Sequence, residues 1–190
     1  MNEVFLDVLC ITVVDGGSKW YIMDMWWEIV VNYENSLTVL SFTINHMLIG
    51  EYTHNIDAKK RLSLPSTWRK ELGKKLVVTR GLDNCLFVYP LKEWQRISEK
   101  ISQLPFGQAD TRGFSRFFLS GAVEVEVDTV GRILVPDFLK EFAGFSTKVV
   151  LAGIHDRVEM WDENRWSEYK RRIEGQADAL AEKLGEIGVL

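Results

Sequence analysis

The sequence has few cysteines, histidines and prolines, and each scarcity excludes a class of protein. Two cysteines, Cys10 and Cys85, cannot form a disulfide framework or a Cys-rich zinc module. Three scattered histidines (His46, His54, His155) point away from a His-based metal site, and neither a metal nor a cofactor is expected. No apolar run approaches the ~18–20 residues needed to cross a bilayer. The nearest, Val4 to Val14, is interrupted by Asp7 and lacks the basic flank of a signal peptide. These absences describe a reducing, cytoplasmic protein. The sequence also lacks Gly-x-Ser-x-Gly, His-Glu-x-x-His, P-loop and Cys-x-x-Cys patterns. Glu124 and Glu126 share one face of a strand, but two surface carboxylates are not a catalytic cleft, and Cys85 reads as a buried, inert thiol on a hairpin strand. No catalytic residue, small-molecule substrate or enzymatic activity is expected.

What is present is ordinary globular material: 190 residues, 46% hydrophobic and 26% charged, enough to bury a core. The net charge of −4 taken alone argues against nucleic acid, but it is unevenly distributed. Residues 1–46 hold one base (Lys19) against six acids, three of the seven tryptophans and no proline. They show no sustained helical or strand period. At Met47 the texture changes, and Met47 can itself serve as a start. The expected organisation is an upstream, poorly structured extension (1–46), a first unit (47–96), connecting helices (97–120), a second unit (121–166) and a C-terminal helix (167–190).

A repeat organises residues 47 onward. Asp57-Ala58-Lys59-Lys60-Arg61-Leu62-Ser63-Leu64-Pro65 lies over Asp128-Thr129-Val130-Gly131-Arg132-Ile133-Leu134-Val135-Pro136. Gly73 then lies over Gly144, Gly81 over Gly153 and Trp94 over Trp166. In each copy an alternating strand (Leu48–Ile56, Val123–Val127) reaches an Asp-initiated turn and re-enters a short strand (Leu62–Leu64, Ile133–Val135) stopped by proline. Ser66 and Asp137 are suited to N-cap a short helix, and Gly73 and Gly144 to end it. A hairpin follows, with turns at Gly81–Asn84 and Gly153–Asp156. Such a unit cannot bury both faces alone, so the two copies should close on each other. Stripes of Leu91, Trp94, Ile97, Ile101 and Leu104, and of Phe114, Phe117 and Phe118, mark the connecting helices, and a long C-terminal helix starts near Glu163. The fold class expected is α+β, mostly β.

The doubled Asp-x-x-x-Arg turn resembles the MraZ family. So do Tyr89-Pro90-Leu91 with Trp94, Gly113-Phe114-Ser115-Arg116-Phe117-Phe118 and Leu119-Ser120-Gly121-Ala122. The resemblance covers Met47 to the C-terminal helix and fails over 1–46. It implies two tandem SpoVT/AbrB-like swapped-hairpin units closing into one pseudo-twofold barrel with flanking helices. It also implies a homo-oligomeric ring that regulates transcription by binding double-stranded DNA upstream of its own division and cell-wall operon, in the nucleoid. Lys60 stands where the family usually has the glycine that Gly131 retains, so a left-handed turn there would carry some cost.

The turn chemistry points to DNA independently. Arginine's planar fork matches guanine O6 and N7, and a good bidentate pair discriminates by ~1–3 kcal/mol. A turn between strands can carry it into the major groove. The expected DNA-binding residues are Arg61, Lys59, Lys60 and Asp57, the last bonding the turn's own backbone and orienting the arginine, with Arg132 weaker. From His54 to Arg96 there are ten bases and four acids, and from Val125 to Ser167 five bases and eight acids. The first unit is therefore expected to face DNA and the second to be structural. The competing reading is a ring-forming interaction or antitoxin-like module with no DNA target of its own.

A last expectation concerns residues 1–46 as translated upstream DNA. Trp26-Trp27-Glu28 must be written TGGTGGGA followed by a purine, and a GTG codon at Val30 would begin another TGG about ten nucleotides on, close to one turn of duplex. Repeated TGG-initiated boxes at that spacing are similar to the operators the MraZ family binds.

Overall fold

A computed structural model describes residues 47–188, and the expectations for residues 1–46, Cys10 included, lie outside the described residues. The first half holds β1 (Leu48–Asn55), β2 (Arg61–Ser63), α1 (Arg69–Leu72), β3 (Lys75–Arg80) and β4 (Leu86–Pro90). Helices α2 (Leu91–Ser102) and α3 (Ala109–Ser120) connect it to β5 (Val123–Glu126), β6 (Arg132–Leu134), α4 (Asp137–Ala143), β7 (Lys148–His155) and β8 (Arg157–Asp162). Two more helices, α5 (Glu163–Glu174) and α6 (Ala177–Glu186), follow.

The α+β, mostly β character is as expected. Six strands form one antiparallel sheet in the order β1-β7-β8-β4-β3-β5, which reads the same when the halves are exchanged. The halves interleave: β1 pairs with β7, β5 with β3 and β4 with β8, each across the halves. Closure into a barrel is not what the pairing shows. β1 and β5 remain the sheet's edges, because the three-residue strands β2 and β6 pair with each other in a separate ribbon instead of bridging them.

Strand alternation divides the core between the sheet's faces. Leu86 and Val88 of β4 join Leu76, Val78, Leu151, Val158 and Met160 on one side, beneath the ribbon, α1 and α4. Phe87 and Tyr89 join Val150, Trp161, Ile101 and Phe118 on the other, under α2, α3 and α5. A sheet covered on both faces needs near-continuous apolar strands, hence runs such as Leu86-Phe87-Val88-Tyr89.

Three local expectations are corrected. Neither Ser66 nor Asp137 is an N-cap: α1 starts only at Arg69 with no side-chain cap, and Asp137 is the first helical residue of α4, its carboxylate engaged by Lys60. The second hairpin turn is tighter than Gly153–Asp156. β7 continues through His155 because β1 pairs along its whole length, with Gly153 opposite Gly50. The C-terminal helix starts at Glu163 and is two helices, interrupted at Gly175 and Gln176.

Candidate nucleic-acid interface

Each Asp-x-x-x-Arg turn is closed by its own aspartate. Asp57 Oδ1 accepts the backbone N–H of Lys59 at 2.8 Å and of Arg61 at 2.9 Å, while Oδ2 accepts Arg61 Nε–H at 2.8 Å and forms an ion pair with Nη2 at 2.6 Å. The second turn repeats this. Asp128 Oδ1 accepts Val130 N–H at 3.0 Å and Arg132 N–H at 2.9 Å, and Oδ2 accepts Arg132 Nε–H at 2.8 Å and forms an ion pair with Nη2 at 2.7 Å. Hydrogen bonds from the Arg61 guanidinium and backbone hold the Asp57 carboxyl below its usual range, and those from Arg132 hold Asp128 down to about 2. Asp57 thus orients its arginine as the sequence suggested. The aspartate takes the Nε and Nη2 side of each guanidinium.

Between the turns lies the β2–β6 ribbon, with Arg61 opposite Leu134, Leu62 opposite Ile133 and Ser63 opposite Arg132. Leu62 and Ile133 are wholly buried, so by strand alternation Arg61, Ser63, Arg132 and Leu134 share the outward face. Arg61 and Arg132 are diagonal neighbours on that face, a spacing of about 7–8 Å. Backbone bonds beyond the ladder, Leu64 N–H to Gly131 O and Val135 N–H to Lys60 O, both 2.9 Å, fasten each turn to the other half's strand.

The strand exchange also moves charge between halves. Lys60 holds φ at 62°, the left-handed conformation that Gly131 adopts at 86°. Its ammonium reaches Asp137 Oδ2 of the second half at 2.6 Å. Arg69 of the first half reaches the second turn, where a Cβ on Gly131 would lie 2.2 Å from its guanidinium. Glycine suits that positive φ at Gly131, which Lys60 bears at a cost, and the mobile end of the Arg69 side chain fills the space a Cβ would take. Sequence reasoning missed Arg69, because nothing in the chain around it names the turn it abuts; the repeat offset alone, with the halves swapped, points there. Lys59 sits exposed at the tip of the first turn.

Cys85 is a buried free thiol, pushed up by desolvation, and Glu124 pairs with Lys75 at the surface, at 2.8 Å. Among the described residues no group of histidine, cysteine and acidic side chains is placed to hold a metal ion, and no helix is long and apolar enough to cross a membrane.

Fold and site together define a protein of two interleaved halves that presents paired Asp–Arg turns on a β-ribbon. The family model described as "MraZ protein, putative antitoxin-like" matches residues 47–117 and again 118–185. The chain is 50% identical over 143 residues to the "Transcriptional regulator MraZ" of Moorella thermoacetica, covering 75% of this chain and 100% of that protein. Proteins of the same name from Acetivibrio thermocellus (47%) and Caldanaerobacter subterraneus subsp. tengcongensis (48%) match with the same coverage. The chain belongs to the MraZ family, a family of transcriptional regulators and not of enzymes.

Proposed function

We propose that this chain regulates transcription by binding double-stranded DNA directly, with the outward face of the β2–β6 ribbon in the major groove. The observation that carries the reading is the presence of Arg61 and Arg132 on one face of one ribbon, each buttressed by its own aspartate. Their spacing of about 7–8 Å is close to two base-pair rises of about 3.4 Å, which suits two guanines read from one approach. Asp57 orients Arg61, and Lys59, exposed at the tip of the turn, serves the phosphates beside it. The target is the DNA upstream of the chain's own gene, at the head of a division and cell-wall operon, as repeated boxes.

A homo-oligomeric ring is part of the proposal. Edge strands β1 and β5 are unpaired on their outer sides, and Ile49 of β1 is 59% exposed. Exposed apolar surface beside an open sheet edge suits a second subunit. Repeated ribbons would then multiply weak contacts through effective concentration.

The test is binding to a duplex of the chain's own upstream DNA against a scrambled duplex. Arg61→Ala should lose about 1–3 kcal/mol of the preference between them while oligomeric state is unchanged. A wild-type protein that retains neither duplex at low salt would instead support an interaction module, and a monomer by light scattering at micromolar concentration would remove the ring.

A further inference from the structure

The charge around the second turn is not the charge of its own half. An open cleft of about 530 Å³ lies beside that turn, where Arg69, Lys70 and Lys74 face Asp128, Thr129 and Gly131. Hydrogen bonds build it from both halves. Arg69 Nε donates to Leu64 O at 2.9 Å, Leu64 N–H to Gly131 O at 2.9 Å and Val127 N–H to Lys74 O at 2.9 Å. The acid in the cleft, Asp128, is already committed to Arg132. Among the described residues no carboxylate pairs with Arg69, Lys70 or Lys74. Three cations gathered without a counter-charge repel one another, and an anion between them relieves that repulsion.

The first turn has no such cleft chemistry. The repeat places Lys140, Glu141 and Phe145 where the second turn has Arg69, Lys70 and Lys74: a base, an acid and an apolar residue. The ammonium of Lys60 is also taken up by Asp137. Counting charge along the chain therefore favours the first turn, whereas counting it in space favours the second.

We infer that the α1 cleft is a seat for the phosphodiester backbone of duplex DNA. Lys70 and Lys74 grip it while Arg132 enters the groove, which makes the turn of the acidic half the better-anchored reader. This rests on the DNA-binding reading above. Arg69 holds the cleft's shape through Leu64 and sets the limit at Gly131, so it is a positioning residue as well as a charge.

The experiment compares the full chain with the double variant Lys70→Ala/Lys74→Ala, and with Lys92→Ala/Lys100→Ala on α2, which removes the same charge from another exposed surface. The probe is the upstream duplex, with affinity measured from 50 to 200 mM salt. Loss of two phosphate contacts should make the log–log salt slope shallower by about 1.8 per engaged subunit and weaken binding at 0.1 M salt by roughly tenfold to sixtyfold. The α2 variant should keep the wild-type slope. A wild-type slope in Lys70→Ala/Lys74→Ala, or an equal change in the α2 variant, overturns the seat while leaving DNA binding intact. A wild-type chain that does not bind the duplex overturns both.

Discussion

At Lys60 the backbone holds a left-handed conformation that costs a residue with a Cβ about 1–2 kcal/mol. Lys60→Gly removes that strain, but loses an exposed ion pair worth about 0–1 kcal/mol and restores freedom to the unfolded chain. A net gain of up to about 1 kcal/mol is expected in the denaturant midpoint, and a fall would show that the Asp137 contact outweighs the strain. Asp128 offers a second residue-scale test. Its carboxyl is held at about 2 against an ordinary 3.8, so the folded state binds this proton less readily than the unfolded one. The turn's contribution is therefore complete above about pH 4 and lost as pH falls towards 2. Carboxyl NMR should show Asp128 ionised at pH 3, and a midpoint near 4 would mean that the Arg132 contact is broken in solution. Because the carboxyls of Asp57 and Asp128 are both held below their ordinary range, neither aspartate should give DNA affinity a pH dependence between about pH 5 and 8.

Among the elements, β1 is an edge strand held by β7 alone among its ladder partners. Their closest approach is at Gly153, where a Cβ would lie 2.7 Å from the carbonyl carbon and oxygen of Leu48. Backbone cannot swing aside as a side chain can. Gly153→Ala should cost about 1–3 kcal/mol, with the amides of Tyr52 and its neighbours in β1 exchanging first. Gly107→Ala, where nothing lies within 4 Å, is the matched control and should be close to neutral. Equal stability of the two variants would mean that β1 does not pair there.

For the whole molecule, the interleaving joins the two halves in one sheet: each half supplies strands to the other's side, and the ribbon joins them at the face proposed for DNA. The family match begins at residue 47, and the relatives' full length is met by 143 residues of this chain. We expect a chain started at Met47 to keep its thermal midpoint within about 2 °C and to bind the upstream duplex unchanged. A lower midpoint would show that residues 1–46 contribute to the fold.

The sequence by itself determined the local grammar. The Asp-x-x-x-Arg spacing dictates a turn whose aspartate closes on its own backbone and arginine, because donors and acceptor lie within four residues. It took the structure to show that Leu62 and Ile133 are wholly buried, which by strand alternation leaves Arg61 and Arg132 on the ribbon's outward face. Helix starts were less legible: Ser66 looks like a cap, yet α1 begins three residues later, at Arg69, and Asp137 was diverted to a lysine 77 residues away in the chain. Only tertiary structure decided which half surrounds which turn. A sum of charges along the chain treats neighbours in sequence as neighbours in space, and strand exchange breaks that equivalence. It carries Arg69, Lys70 and Lys74 to the acidic half's turn and Asp137 to the basic half's, because a strand satisfies its hydrogen bonds with whatever edge the fold brings to it.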